Sequence, residues 1–351
     1  MYFSRPDTAR KINKLKVLSE LRKGQASKAE LSRRLGINKV SIGEIVDSLM
    51  KENLIEPARK DNTTSGRPSM LMAIARNSGR VYSIEDSRSA ISLTAYDLLA
   101  RVIRFERIPK STWKEEHLEA FIEKTASGQK VYGISVIGED RSMMEALKLP
   151  YPSVFSSISH AEAVAEISSF ESGLDGFLFL SWSSHIDASI CRGRIIELPT
   201  IAHMKVEKSR SCRCGGTGCL DAVASGEALK DALGCALAKD VLSRSSSKAV
   251  SDASKAIALA LSEAVQALNA TSVMITGELS AFSDDVYASM QSMLSSILPP
   301  DRKDVVIYRG QNGQNGRRTG AGIIALDEFF YATGLLKDLS GIEALGDCSW
   351  I

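Results

Sequence analysis

Three cysteines within eight residues, Cys212, Cys214 and Cys219, with His203 nine positions before the first of them, constrain this chain more than any other feature. The remaining cysteines, Cys191, Cys235 and Cys348, are scattered. In a chain read as cytoplasmic, such a cluster points to a metal site rather than to a disulfide framework. Three thiolates and one imidazole make a closed tetrahedral set for zinc, and a saturated set supports structure rather than catalysis. Gly215, Gly216 and Gly218 let the backbone turn tightly enough for Cys214 and Cys219 to reach one ion. The alternative is a group of reduced, buried thiols.

The cytoplasmic reading rests on two expectations. Met1 to Arg10 carries polar and charged residues where a secretory segment needs an apolar core. Apolar runs also fall short of the roughly 18 residues of a membrane span. At 351 residues the chain is long enough for two or three units. Its net charge of +2 is unevenly placed, because residues 1–72 hold 15 Lys and Arg against 8 Asp and Glu, a local +7 that leaves −5 for the rest. A basic N-terminal unit on a mildly acidic body suits binding to a phosphate backbone.

The pattern within that basic segment predicts three helices and a hairpin. Ile12, Leu15, Val17, Leu18 and Leu21 form an apolar stripe that stops at Gly24. Ser27-Lys28-Ala29-Glu30 is a capping box that starts a second helix, with Leu31 and Leu35 facing inward. Gly36-Ile37-Asn38 makes the turn, and a third helix runs from Lys39 to about Asn53 with Ile42, Ile45, Val46 and Leu49 on its buried face. This is helix-turn-helix spacing. Leu54–Glu56 and Met70–Ile74 are expected to pair as short strands around the loop from Arg59 to Pro68, the wing, with Arg67 at its tip. Lys39, Ser41 and Ile42, at the start of the third helix, are the candidates for base edges, Arg67 for a phosphate or a narrow minor groove, and Arg33 and Arg34 for phosphates.

From Gly79 onward, strands and helices alternate in two successive sets, which predicts two α/β lobes. The domain reading is 1–75 for the DNA-binding unit, 76–172 for a first lobe and 173–351 for a second lobe, with a C-terminal helix packing back on the first. Ser243 to Ser247 reads as a flexible surface insertion.

Taken together, Ala202-His203-Met204 and Cys212-Arg213-Cys214-Gly215-Gly216-Thr217-Gly218-Cys219-Leu220-Asp221 resemble the zinc signature of the ROK family of repressors, open reading frames and sugar kinases. The helix-turn-helix with Gly66-Arg67-Pro68 is similar to the family's repressor branch. The resemblance implies a winged helix-turn-helix followed by a two-lobed, actin-like (ribonuclease H-like) α/β body of the sugar-kinase kind. It also implies a regulator, a repressor, that binds double-stranded DNA as a homo-oligomer and answers to a carbohydrate or other small effector.

Against that family, the kinase machinery is missing. The first phosphate loop, Asp-x-Gly-x-Thr in kinases, corresponds to Glu85-Asp86-Ser87-Arg88-Ser89, and the second, Gly-Thr-Gly-Ile-Gly, to Ser183-Ser184-His185-Ile186-Asp187. The family's Asn-Asp base pair corresponds to Ser157-Ile158, and its sugar-binding Glu to Thr200. The expectation is a body without kinase activity; the alternatives are an active ATP-dependent sugar kinase and a body that acts only as an oligomerisation scaffold or protein-docking module.

Overall fold

The computed structural model describes residues 6–61, 69–139, 141–147, 149, 151–170 and 174–331. They fall into two compact units, one taking the chain up to Phe155 and again from Ala321, the other running Ser156–Gly320.

The first unit opens with α1 (Pro6–Lys23), whose Val17, Leu18 and Leu21 are buried. After the two-residue strand β1 (Ala26–Ser27), Ser27 Oγ accepts the Glu30 N–H at 3.3 Å and a Glu30 carboxylate oxygen accepts the Ser27 N–H at 2.8 Å. These reciprocal bonds satisfy two donors that a helix start leaves open, and they begin α2 (Lys28–Leu35). Gly36, at φ +65°, ends it; Asn38 then accepts the Ser41 N–H at 2.9 Å and starts α3 (Lys39–Lys51). β2 (Ile55–Asp61) and β3 (Ser69–Ile74) pair antiparallel with Ile55 opposite Ile74, and β1 lies on the other side of β3. Gly66, Arg67 and Pro68 lie outside the described residues.

The larger sheet of this unit is built from β4 (Gly79–Asp86), β5 (Ala90–Tyr96), β6 (Val102–Pro109), β7 (Lys130–Gly138) and β8 (Ser153–Ser157), in the order β6-β5-β4-β7-β8. Helix α4 (Glu116–Ala126) packs Leu118, Phe121 and Ile122 against Ile84, Ile91 and Leu93, and a short α5 (Ser142–Ala146) follows β7. The expected turn at Asp97–Ala100 is held by the Asp97 carboxylate, which accepts the N–H groups of Leu99 and Arg101 at 2.9 and 3.0 Å.

The second unit contains α6 (Ile158–Ser168), β9 (Phe177–Trp182), β10 (Ile186–Cys191), β11 (Ile195–Glu197), the short helices α7 (Leu220–Ala224), α8 (Gly226–Leu233) and α9 (Ala238–Leu242), then α10 (Lys248–Leu268), β12 (Ser272–Thr276), α11 (Asp284–Ile297) and β13 (Ile307–Arg309). Its sheet has the order β11-β10-β9-β12-β13, with β12 parallel to both β9 and β13. Ser243–Ser247 is a turn, and Ser247 Oγ accepts the Val250 N–H at 3.3 Å to begin α10. α12 (Gly316–Leu326) returns the chain to the first unit and ends in a π turn, Asp327–Tyr331.

That return matters for the N-terminal helices. Leu326, Phe329, Phe330 and Tyr331 share one apolar cluster with Val17, Leu18 and Leu21 of α1 and with Val81, Tyr96 and Leu98. Arg22 pairs with Asp327 and lies 4.6 Å from the centre of the Tyr331 ring, while Tyr331 Oη donates to Leu98 O at 2.9 Å. One apolar cluster therefore spans position 75, and the compact units divide at 155/156 and 320/321. Among the described residues no helix is long and apolar enough to cross a membrane.

Candidate metal centre and nucleic-acid surface

The four predicted ligands come together in the second unit. A 3-10 turn, Pro199–His203, carries the imidazole, and bridges pairing Lys205 with Cys219 and Ser211 with Thr217 fold the following segment back on itself. Within that knuckle, Cys212 N–H donates to Gly216 O at 2.8 Å and Gly215 N–H to Cys212 O at 3.0 Å. Gly218 sits at φ +68° with its Cα against the Glu207 carbonyl, where a side chain has no room. Cys219 directly precedes α7.

The ligand atoms of His203, Cys212, Cys214 and Cys219 all lie within 4.8 Å of one another. Cys212 Sγ is 3.6 Å from His203 Nδ1, and Cys214 Sγ is 3.7 Å from Cys219 Sγ. Tetrahedral zinc, with Zn–S near 2.3 Å and Zn–N near 2.0–2.1 Å, requires edges of about 3.8 Å between sulfurs and about 3.6 Å between sulfur and nitrogen. The donor set thus has the composition and spacing of a closed metal site. The Gly216 N–H and the Cys212 thiol hold Cys214 below the ordinary thiol value, whereas burial and then the two neighbouring thiols push Cys219 up to about 11. Without a cation, the three sulfurs resist ionising together. Lys205 Nζ adds an outer contact, 3.6 Å from Cys219 Sγ.

Asp221, two residues past the last cysteine, ties the knuckle to the loop before β10. It accepts the Ile186 N–H at 2.8 Å and lies 3.3 Å from His185 Nδ1 and 3.2 Å from Arg213 Nε. Burial opposes its charge, yet these partners outweigh burial and hold the carboxyl below its ordinary value.

The segments that correspond to kinase loops are engaged within the chain. Ser183 O accepts the Gly226 N–H at 2.7 Å, Ser184 O accepts the Glu227 N–H at 3.1 Å, and Ser183 Oγ accepts the Glu278 N–H at 3.1 Å. Ser87 closes a hairpin turn, its N–H and hydroxyl both donating to Ala90 O. Ser157 precedes α6 and its hydroxyl accepts the His160 N–H at 3.2 Å; Ile158 is the first helical residue, and Thr200 is exposed in the 3-10 turn. A group that sequence reasoning missed gathers here. Asp187 accepts the Ser159 N–H at 3.0 Å, and Glu197 accepts the Ser157 N–H at 3.2 Å and lies 3.4 Å from His160. Burial raises the Asp187 pKa, whereas the His160 contact lowers that of Glu197. The α6 N-terminus therefore meets carboxylates of its own chain.

In the first unit, α3 presents a distinct outer face. Lys39 and Glu44 are exposed, Val40 is 73% exposed, and Ser41 is half-buried with its N–H held by Asn38. Ile42 is buried in the apolar core, which corrects its assignment to base edges: the helical period that puts Ile45, Val46 and Leu49 inside puts Ile42 there too. Val40, which the apolar pattern did not claim, stands in its place. Arg33 and Arg34 are exposed on α2, with Arg34 3.7 Å from Glu30 and 3.8 Å from Glu20. Arg67 lies outside the described residues.

Residues 185–328 match the model of the ROK family. Among solved structures, the chain is similar to a ROK family transcriptional regulator described as a homolog of the E. coli MLC protein, at TM-score 0.72 and 18% identity over 95% of this chain and 99% of that one. It is also similar to the ROK hexokinase from Thermus thermophilus, at TM-score 0.56 and 18% identity over 70% and 97% of the two chains. A ROK glucokinase from Streptomyces griseus in complex with glucose and AMPPNP gives TM-score 0.57 at 14% identity, over 71% and 100%. Comparison with curated proteins gives no match. The match to the ROK family is thus confined to residues 185–328, and the chain has the mixed α/β fold of these solved structures.

Proposed function

We propose, from the ROK domain as premise, that this chain is a cytoplasmic DNA-binding transcriptional regulator, a repressor, acting as a homo-oligomer on double-stranded DNA. Residues 1–75 would form its winged helix-turn-helix. The observation that carries this reading is the capped α2–turn–α3 arrangement, whose second helix turns Lys39, Val40 and Glu44 to solvent beside the β2–β3 hairpin. The regulator of known structure covers 95% of the chain and the kinases 70–71%, which favours the regulator over the kinase as the whole-chain parallel. Lys39 and Ser41 are assigned to the recognition helix, Val40 joins them, Arg67 serves the wing, and Arg33 and Arg34 serve phosphates. The body would hold one structural zinc on His203, Cys212, Cys214 and Cys219, without kinase turnover. A carbohydrate or another small effector is the expected ligand of that body.

The test is a selection of genomic DNA fragments on the full chain, followed by binding titrations across a salt series. Affinity should fall steeply as salt rises. Lys39→Ala should change the preferred sequence, and Arg67→Ala should weaken binding to many sequences alike. Salt-insensitive binding would overturn the DNA reading. In parallel, ADP release with glucose, N-acetylglucosamine or mannose should stay at background; sugar-dependent turnover near one per second, a rate within the usual enzyme range of roughly 1–10³ per second, would overturn the inactive body.

A further inference from the structure

The metal-centre knuckle carries a cation beyond its four ligands. Met204 O accepts the Leu220 N–H at 2.9 Å and Gly218 O accepts the Val206 N–H at 2.9 Å, so Lys205 and Cys219 face each other as a non-hydrogen-bonded antiparallel pair. In such a pair both side chains leave the backbone on one side and approach most closely. The Lys205 ammonium accordingly donates to Cys219 Sγ at 3.6 Å and also to Thr217 O, while Cys219 itself is buried. Gly216 makes the room. A Cβ on it would stand 3.1 Å from Lys205 Nζ, 3.5 Å from Cys214 Sγ and 3.8 Å from Cys219 Sγ, so the ammonium and two sulfurs close around one bare backbone position.

We propose that Lys205 is the counter-charge of the zinc centre, a positioning residue that holds the loaded site neutral without binding the metal itself. Ligation needs all three cysteines as thiolates and His203 as a neutral imidazole. Around a divalent ion, that set leaves a single negative charge in excess. An empty site of three thiols has no such excess, so a cation hydrogen-bonded to Cys219 favours the loaded state over the empty one. Arg213 and Arg210, also in the knuckle, are paired with Asp221 and Glu207. Lys205 reaches water, and its charge is therefore open to screening by salt.

This role rests on the zinc reading above, and one experiment separates the two. Freshly reduced full chain is titrated against a chromogenic zinc chelator at one pH, at low and at high salt, as wild type, Lys205→Arg, Lys205→Met and Lys205→Glu. Lys205→Met should weaken zinc binding by about tenfold or more, the size of effect known for groups that contact metal ligands from outside, and Lys205→Glu should weaken it further. Lys205→Arg keeps the charge and should stay close to wild type. High salt should narrow the gap between wild type and Lys205→Glu. Met and Glu variants that bind zinc as tightly as wild type would overturn the role of Lys205 and leave the zinc reading standing. Equal losses in both that salt does not change would do the same, because loss of the Thr217 contact alone explains them. A wild type that takes up no zinc would overturn the zinc reading and the role of Lys205 with it.

Discussion

At Gly43, in the interior of α3, a Cβ would meet nothing within 4 Å. Glycine inside a helix costs about 0.5–1 kcal/mol relative to alanine, and no packing within the protein demands it here. It lies on the same turns as the exposed Val40 and Glu44, so under the proposed function the missing methyl would let a base pair approach the outer face of α3 closely. Gly43→Ala should therefore raise thermal stability, by up to about 1 kcal/mol, while weakening binding to the selected DNA. Melting curves and binding titrations on the same preparation check this, and a stabilised variant that binds as wild type would remove Gly43 from the interface. Neighbouring residues show what a sequence can and cannot disclose at this scale. The 3.6-residue period marked Ile42 as core, and burial agrees with the period rather than with its nomination as a reader of bases. Solvent exposure at Val40 has no such signature, since an apolar residue beside an apolar stripe is ordinarily inside.

Among the elements, the capping box of α2 makes a prediction in pH. The Ser27 N–H and hydroxyl, followed by weaker influences, hold the Glu30 carboxyl below its ordinary 4.5. The folded state thus binds fewer protons than the unfolded chain in that window. The contribution is fully present above about 4.5 and is lost as pH falls through the lowered folded value. Ser27→Ala should cost about 1 kcal/mol at neutral pH and flatten that acid limb, as read from thermal melts at stepped pH. The knuckle makes a second prediction. Freshly purified, reduced protein should contain one zinc per chain, and Cys212→Ser or a strong chelator should remove it and lower the melting temperature, because ligand binding and local folding are coupled. Metal analysis without zinc would count against the assignment. Both elements were legible from short-range spacing: Ser27 and Glu30 are three residues apart, and the cysteines lie within eight. The longer helices and most of the strands were legible from periodicity, whereas β11 and α7, three and five residues long, are too short to display a period. The Asp187, Glu197 and His160 group was invisible because its members are brought together by β10 and β11 folding beside α6.

For the molecule as a whole, the joint between α1 and the π turn is the place to test how the N-terminal helices are held. Arg22 reaches both Asp327 and the Tyr331 ring, and burial raises the Asp327 pKa even against the Arg22 charge. Arg22→Ala should lower stability by about 1–2 kcal/mol, a partly exposed ion pair and a cation–π contact together. It should also leave α1 unfolding in the same transition as the sheet of the first unit, since the two share one core. Two separate transitions would mean that residues 1–75 fold as an independent module. The helix-turn-helix spacing pointed to a separable domain, and nothing in a local pattern could show that Val17, Leu18 and Leu21 would be completed by Phe329, Phe330 and Tyr331, some three hundred positions later.

That separation sets a clock on the ribosome. At synthesis rates of roughly 5–20 residues per second, the C-terminal partners of α1, Phe329, Phe330 and Tyr331, emerge on the order of 15–60 s after α1 itself. Until then α1 packs only on its near neighbours in sequence, among them Leu31, Ile42 and Leu49, while Arg22 still lacks Asp327. A translation product stopped before Phe329 would therefore carry α1 without the last part of its apolar cluster, and should be cleaved by proteases more readily than the finished protein.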